Sequence, residues 1–255
     1  MNNQIKQFAE MIKECNNIVF FGGAGVSTES GVKDYRSKDG LYNTVKDYGV
    51  SPEVILSHTF FFEHTDLFYD FYNKYFISDV KPNDAHKALA KLEQIGKLKA
   101  VITQNIAGLH QKAGSKNVIE LHGTTSKYYC SKCNKNLDNV KAIEEQILND
   151  EIPKCPYCGG IAKPRVVLYE EPLYDGVEES AVEYISNADM LIVGGTSLAV
   201  YPAASFVRYF RGKYIVMINK SETEYDSKAD LVIRDSIGRV LADTMLAVNW
   251  DGTGL

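Results

Sequence analysis

The sequence predicts an α/β fold: a doubly wound parallel sheet with a small lobe inserted into it. Three observations predict this. Short apolar runs recur along the chain, helical patterns lie between many of them, and one segment replaces the alternation with two C-x-x-C pairs. The 255 residues allow one large domain with a small insert, and 45% hydrophobic residues supply a sizeable core. A net charge of −5 argues against a nucleic-acid binder held by phosphate contacts. The first residues, MNNQIKQFAEMIKE, are polar and amphipathic rather than a signal peptide, and no apolar run approaches the roughly 20 residues of a membrane span. A cytoplasmic monomer with no membrane or nucleic-acid partner is expected.

Taken in order, residues 5–15 place apolar side chains at helical spacing and end on Cys15, a small core residue. The runs NNIVFFGG, LKAVITQN, NVIELHG, PRVVLYEE, ADMLIVGG, YIVMIN and ADLVIRD read as buried parallel strands. Residues 84–95 and 177–185 are helical between them. Residues 35–76 break the alternation. Their aromatics recur at helical intervals, as in a helical hairpin that buries its rings, and some rings can also wall an apolar tunnel.

Open sheets of this kind bind ligands beyond the carboxyl ends of their strands. The positions of interest are therefore 22–28, 104–110, 122–123, 195–198 and Asn219. FFGGAGVSTESG runs from a strand into small residues and a Ser/Thr-rich helix start. That suits either a pyrophosphate or a plain strand-to-helix turn, because Thr28 replaces the last glycine of the usual fingerprint. Asn219 offers an amide suited to a ribose hydroxyl. His122 stands at a strand tip before a glycine, as a structural or a catalytic histidine. Cys130, Cys133, Cys155 and Cys158 supply four soft ligands in two tight turns, which favours one structural zinc over a redox dithiol.

GAGVSTESGVKDYRS, TQNIAGLH, ELHG, the paired cysteine knuckles, VVLYEE, GGTSLAVYPAA and Ile218-Asn219 together resemble the sirtuin (Sir2) family of NAD-dependent protein-lysine deacylases. The motifs stand in family order across nearly the whole chain. The resemblance implies a Rossmann-like large lobe of about residues 1–34, 84–125 and 162–255. It also implies a small lobe made of a helical insert (about 35–83) and a zinc ribbon (about 126–161).

By the same resemblance, Ala24, Gly25, Thr28, Tyr35 and Arg36 form the cofactor loop. Gln104, Asn105, Ile106 and Ala107 serve the nicotinamide side, with Asn105 counted as catalytic. Gly195, Thr196, Ser197, Asn219 and Ile237 serve phosphate, ribose and adenine, and Val167 and Tyr169 receive acyl-lysine from a protein or peptide. His122 would act as general base for a ribose hydroxyl, giving free lysine, nicotinamide and O-acyl-ADP-ribose. An NAD glycohydrolase or ADP-ribosyltransferase, or a module that binds without turnover, is the alternative.

Three positions depart from the family pattern. Ala107 stands where TQNID has aspartate, Lys33 where proline is usual, and Arg165 where an acidic residue or asparagine is frequent. Ala107 implies slowed turnover. Lys33 and Arg165 are either solvated changes or a cleft retuned toward an anionic acyl group. The stretch Tyr42-Asn43-Thr44-Val45 lacks the Tyr-x-x-Arg pair of desuccinylating relatives, which favours neutral acyl groups.

Overall fold

The structure is a computed structural model and describes residues 3–34, 40–77 and 79–248. Nine strands are assigned among them. They are β1 (Ile18–Gly22), β2 (Leu98–Thr103), β3 (Val118–Glu120), β4 (Gly123–Cys130), β5 (Asn136–Leu137), β6 (Ala162–Val166), β7 (Met190–Gly194), β8 (Tyr214–Ile218) and β9 (Leu231–Ile233). The α-helices are α1 (Asn3–Glu14), α2 (Val45–Tyr48), α3 (Pro52–Ile55), α4 (His58–Glu63), α5 (Thr65–Phe76), α6 (Asp84–Gln94), α7 (Leu109–Ala113), α8 (Val140–Leu148), α9 (Val177–Asn187) and α10 (Ile237–Ala247).

Six strands form a parallel sheet in the order β3-β2-β1-β7-β8-β9. The chain leaves β1 toward one edge and returns at β7 toward the other, so the order reverses between these two neighbours. That is the switch point at which doubly wound sheets open a crevice. Alternation along each strand feeds two cores. Ile18, Phe20, Met190 and Ile192 pack with α1, α6 and α10, while Val19, Phe21, Leu191 and Val193 pack with α9 and residues 203–210. Cys15 is 1% exposed within the first of these cores.

The second sheet is small and antiparallel, in the order β5-β4-β6. Here the expectation for PRVVLYEE is corrected. Its first part is β6, paired antiparallel with β4, and no strand of the parallel sheet includes it. A short apolar run reports burial and not the direction of its partner, and Val166 and Leu168 are buried against the aromatic helices instead. The aromatic segment is also a series of helices, α2, α3, α4 and α5, rather than one hairpin. Ser57 caps α4 by accepting from Phe60 N at 3.2 Å, and α5 begins just after His64.

Most of the rings are buried as expected, although Phe62 and Tyr42 are exposed. Phe61, Phe68, Tyr69, Phe71 and Tyr72 share one core with Tyr128, Cys130, Cys155 and Leu168. Each such side chain is worth about 1.5–3 kcal/mol of burial. No helix among the described residues is long and apolar enough to cross a membrane.

Candidate active site

The loops after β1 and β7 meet at the switch point. Gly25 N donates to Gly195 O at 2.8 Å, and Gly23 N to Gly194 O at 3.3 Å. A Cβ on Gly25 would lie 2.8 Å from Gly195 Cα, and one on Gly195, whose φ is +60°, would lie 2.4 Å from Val26 N. These glycines therefore let the two loops touch through their backbones, a closer reason for them than room for a phosphate. Thr28 Oγ1 closes the first loop by donating to Gly25 O at 3.1 Å.

The loop after β2 lies against both. Gln104 Nε2 donates to Thr196 Oγ1 at 3.2 Å, and Asn105 Nδ2 donates to Gly23 O at 2.9 Å and Ser27 Oγ at 3.0 Å. Ile106 O accepts from Thr125 N at 3.0 Å. Ala107 is half-buried beside the cleft, just ahead of Gly108, whose φ of +65° opens α7. Across the switch point, Asn219 Oδ1 accepts from Thr196 N at 3.0 Å, while its buried Nδ2 has no partner among the described residues.

His122 joins β3 to β4. Its Nδ1 lies 3.1 Å from the Gln104 carbonyl oxygen. A carbonyl only accepts, so Nδ1 carries the hydrogen and the lone pair of the neutral ring stays on Nε2. Burial pushes the His122 pKa down, opposed by that bond to Gln104. The ring is thus a neutral base at pH 7. His122 O in turn accepts from Val167 N at 2.9 Å, which fixes the base to the segment carrying Val167 and Tyr169. Tyr169 is bracketed by the insert: its N donates to Leu56 O and its O accepts from His58 N, both at 2.9 Å.

One cleft of about 1290 Å³ gathers these groups. Ala24, Gly25 and Thr28 line it from the first loop, Gln104, Asn105, Ile106 and Ala107 from the second, and Gly195, Thr196 and Ser197 from the third. Asn219, Ile237, His122, Val167 and Tyr169 complete the set. Tyr35 and Arg36 lie outside the described residues.

The four cysteines stand apart from the cleft, with their sulfurs all within 4.8 Å of one another. Tetrahedral zinc with bonds near 2.3 Å needs sulfurs roughly 3.8 Å apart. The pairs Cys130–Cys158 at 3.4 Å and Cys133–Cys155 at 3.9 Å suit that geometry. Cys130 Sγ also accepts from Lys132 N and Cys133 N at 3.3 and 3.4 Å, bonds that favour a thiolate. These residues fit a structural zinc.

Several participants escaped the sequence reading. Ser27, 2% exposed, accepts from Asn105 and lies 3.5 Å from His86 Nε2. Thr125 fastens Ile106, and Glu171 fastens the segment around Tyr169. Ser27 and Glu171 stood inside the quoted motifs, but nothing in the spacing separated them from their neighbours. Of the departures, Lys33 sets its ammonium 5.3 Å over the Tyr75 ring. Arg165 sets its guanidinium 5.0 Å over Tyr174 and reaches Asn136 Oδ1 at 3.4 Å.

The Sir2 family model matches residues 23–202. An NAD-dependent protein deacetylase of Clostridium tetani (strain Massachusetts / E88) is 59% identical over 239 residues, covering 92% of this chain and 95% of its own length. One of Clostridium perfringens (strain 13 / Type A) is 57% identical over 243 residues, covering 94% and 98%. Among solved structures, one from work on the mechanism and regulation of Sir2 enzymes superposes with a TM-score of 0.88 at 37% identity, covering 98% and 99% of the two chains. A Sir2 complex with p53 peptide and NAD+ superposes with a TM-score of 0.85 at 35% identity, covering 96% and 98%. On these matches this chain belongs to the Sir2 family.

Proposed function

We propose that the chain is an NAD-dependent protein-lysine deacetylase that releases nicotinamide and passes the acetyl group of a lysine side chain to ADP-ribose. The observation that carries this reading is His122, a neutral imidazole held through Nδ1 in a cleft shared by the switch-point loops and the 166–171 segment. Relatives named NAD-dependent protein deacetylase and neighbours solved with NAD+ and acetylated peptide support it.

In this reading Ala24, Gly25 and Thr28, with Tyr35 and Arg36, hold the phosphates. Gly195, Thr196, Ser197, Asn219 and Ile237 hold the adenosine half, with the unpartnered Asn219 Nδ2 as a donor. Gln104, Asn105, Ile106 and Ala107 surround the nicotinamide half. Bound NAD supplies the glycosidic bond whose cleavage frees nicotinamide. His122 Nε2 takes a proton from a ribose hydroxyl while Gln104 O holds the opposite ring nitrogen and orients the base. Val167 and Tyr169 wall the acyl-lysine site. Zinc on Cys130, Cys133, Cys155 and Cys158 would hold the ribbon and, with four protein ligands, leave no position open for chemistry.

We read the chain as one catalytic domain acting as a cytoplasmic monomer. Its large lobe is about 1–34, 84–125 and 162–255, and its small lobe is the insert (about 35–83) with the ribbon (about 126–161); the core these two share supports the division. Neutral acetyl is the preferred group. Ala107 offers no acceptor to the nicotinamide amide, and one such bond is worth on the order of 1–3 kcal/mol.

The test is NAD-dependent deacetylation of an acetyl-lysine peptide, with Ala107→Asp alongside. Measurable activity that rises roughly tenfold to a hundredfold in the variant is expected. Nicotinamide release without peptide would replace the reading by an NAD glycohydrolase. Binding of NAD and peptide with turnover in neither protein would leave a binding module.

A further inference from the structure

The segment carrying Val167 and Tyr169 leaves the sheet at once. β6 ends at Val166, and residues 167–171 continue outside any named strand, held to the insert by one isolated bridge between Ser57 and Tyr169. Glu170 has a φ of 74°, a left-handed conformation that strains a side chain other than glycine. Beside the main-chain bonds at Val167 and Tyr169, a group of charges fixes this backbone. Lys163, 1% exposed, donates from Nζ to Val166 O and to Glu171 Oε2, both at 3.1 Å. Glu171 Oε2 also accepts from Leu168 N at 2.9 Å.

The same carboxylate reaches the insert, since its Oε1 lies 2.9 Å from His58 Nδ1 at the start of α4. Next to it, Glu170 Oε2 accepts from Thr59 N at 2.9 Å and Thr59 Oγ1 at 2.7 Å. The Phe61 and Tyr129 rings stand 5.8 and 5.5 Å from the Lys163 ammonium. A buried ion pair is a weak source of stability, because desolvation offsets its attraction. Its best-attested use is to fix register, and loss of one partner leaves the other charge stranded.

We propose that the Lys163–Glu171 pair, extended to His58, is the device that positions the acyl-lysine segment. It sets the backbone of residues 166–171 relative to the helical insert, and so sets where Val167 and Tyr169 stand in the cleft. Glu171 also lines the cleft, but in this proposal the three act through Val167 and Tyr169, as positioning residues. The inference rests on the reading of Val167 and Tyr169 as the acyl-lysine wall.

The test compares Glu171→Gln, His58→Ala and Lys163→Arg with the wild-type protein. Steady-state rates are measured with peptide and NAD varied in turn, beside acetyl-lysine peptide binding by fluorescence anisotropy and the Tm. Glu171→Gln is expected to raise the peptide KM and Kd about tenfold and His58→Ala about threefold, with kcat and the NAD KM within about twofold. Lys163→Arg keeps the charge and is expected to stay within about threefold. Should Glu171→Gln not fold, His58→Ala, on the exposed side of the cluster, decides alone. A peptide KM and Kd unchanged in the folded variants overturns the proposal. So does a rise matched by an equal rise in the NAD KM, which is general loosening. A wild-type protein that neither binds nor deacetylates the peptide overturns the functional reading itself, and the proposal with it.

Discussion

On the sheet side of the cleft, the loops after β1 and β7 are fastened by main-chain bonds such as Gly25 N to Gly195 O at 2.8 Å. On the opposite side, residues 166–171 depend on the carboxylates of Glu170 and Glu171 and on a buried lysine. The first wall is fixed by the fold and has no room for an added carbon. The second has main-chain bonds at Val167 and Tyr169 but adds its own carboxylates, paired with Lys163, His58 and Thr59, and so responds to charge. On the proposed reading, a substitution on the first wall is expected to damage binding outright, whereas one on the second is expected to re-aim it.

The largest test of this contrast is zinc removal. Metal in a site like the cysteine ribbon contributes about 10–16 kcal/mol in isolated fingers, and here Cys130 and Cys155 lie in the core that supports Leu168. A strong chelator is expected to abolish peptide binding while NAD binding, followed by calorimetry, survives on the sheet side. Parallel loss of both would show that the walls are not independent.

Next in size is His122→Ala, where the walls join through the bond from Val167 N to His122 O. A fall of roughly 10²–10⁴-fold in kcat is expected, with both ligands still bound. Wild-type kcat should fall only at acid pH, because burial lowers the pKa of the base.

The sheet side also hides a pH dependence. Behind Ser27, the His86 and His110 rings lie with centroids 4.7 Å apart and tilted by 60°, and neither nitrogen of His110 has a partner among the described residues. Burial pushes His86 down to about 4, and burial with His86 nearby pushes His110 down to about 3, from an ordinary 6.5. The unfolded chain takes up these protons first. The stability they contribute is therefore complete above pH 6.5 and is lost as pH falls through about 4 and then 3. For His86 the loss is on the order of 3 kcal/mol. Urea titrations from pH 7 to 4 should show it, less steeply in His86→Gln.

Gly25→Ala tests the sheet side alone. Its Cβ would meet Gly195 Cα at 2.8 Å. About 1–3 kcal/mol of stability should go, with the NAD KM raised and the peptide Kd unchanged. The smallest effect is expected from Lys33→Pro. Lys33 is exposed over the Tyr75 ring, so the ratio of acetyl-lysine to succinyl-lysine cleavage should not move. A shift toward acetyl would revive an anionic-acyl cleft.

Much of the parallel sheet was legible because its strands are uniform apolar runs ended by turn residues. NNIVFFGG, LKAVITQN, NVIELHG, ADMLIVGG, YIVMIN and ADLVIRD each contain one of its strands. Helices α1, α6 and α9 likewise fall within a few residues of the predicted spans. β4 was not legible, since GTTSKYYC mixes polar and aromatic residues and takes its partners from far along the chain. The candidate site was legible where it sits on strand ends. Its supports were not: nothing in the sequence places Lys163 beside Glu171 or His58, because side-chain pairing across an irregular segment has no period.

The two bonds between Tyr169 and the Leu56–His58 turn carry one further consequence. The proposed substrate wall is cantilevered from the aromatic helices, so their packing is a lever arm on it. Substitutions at Phe61, buried in the aromatic core and outside the lining of the cleft, are expected to tilt Tyr169 by fractions of an ångström. On the proposed reading, drift in that aromatic core would give descendants of this chain a source of new substrate preferences while the nucleotide side stayed as it is.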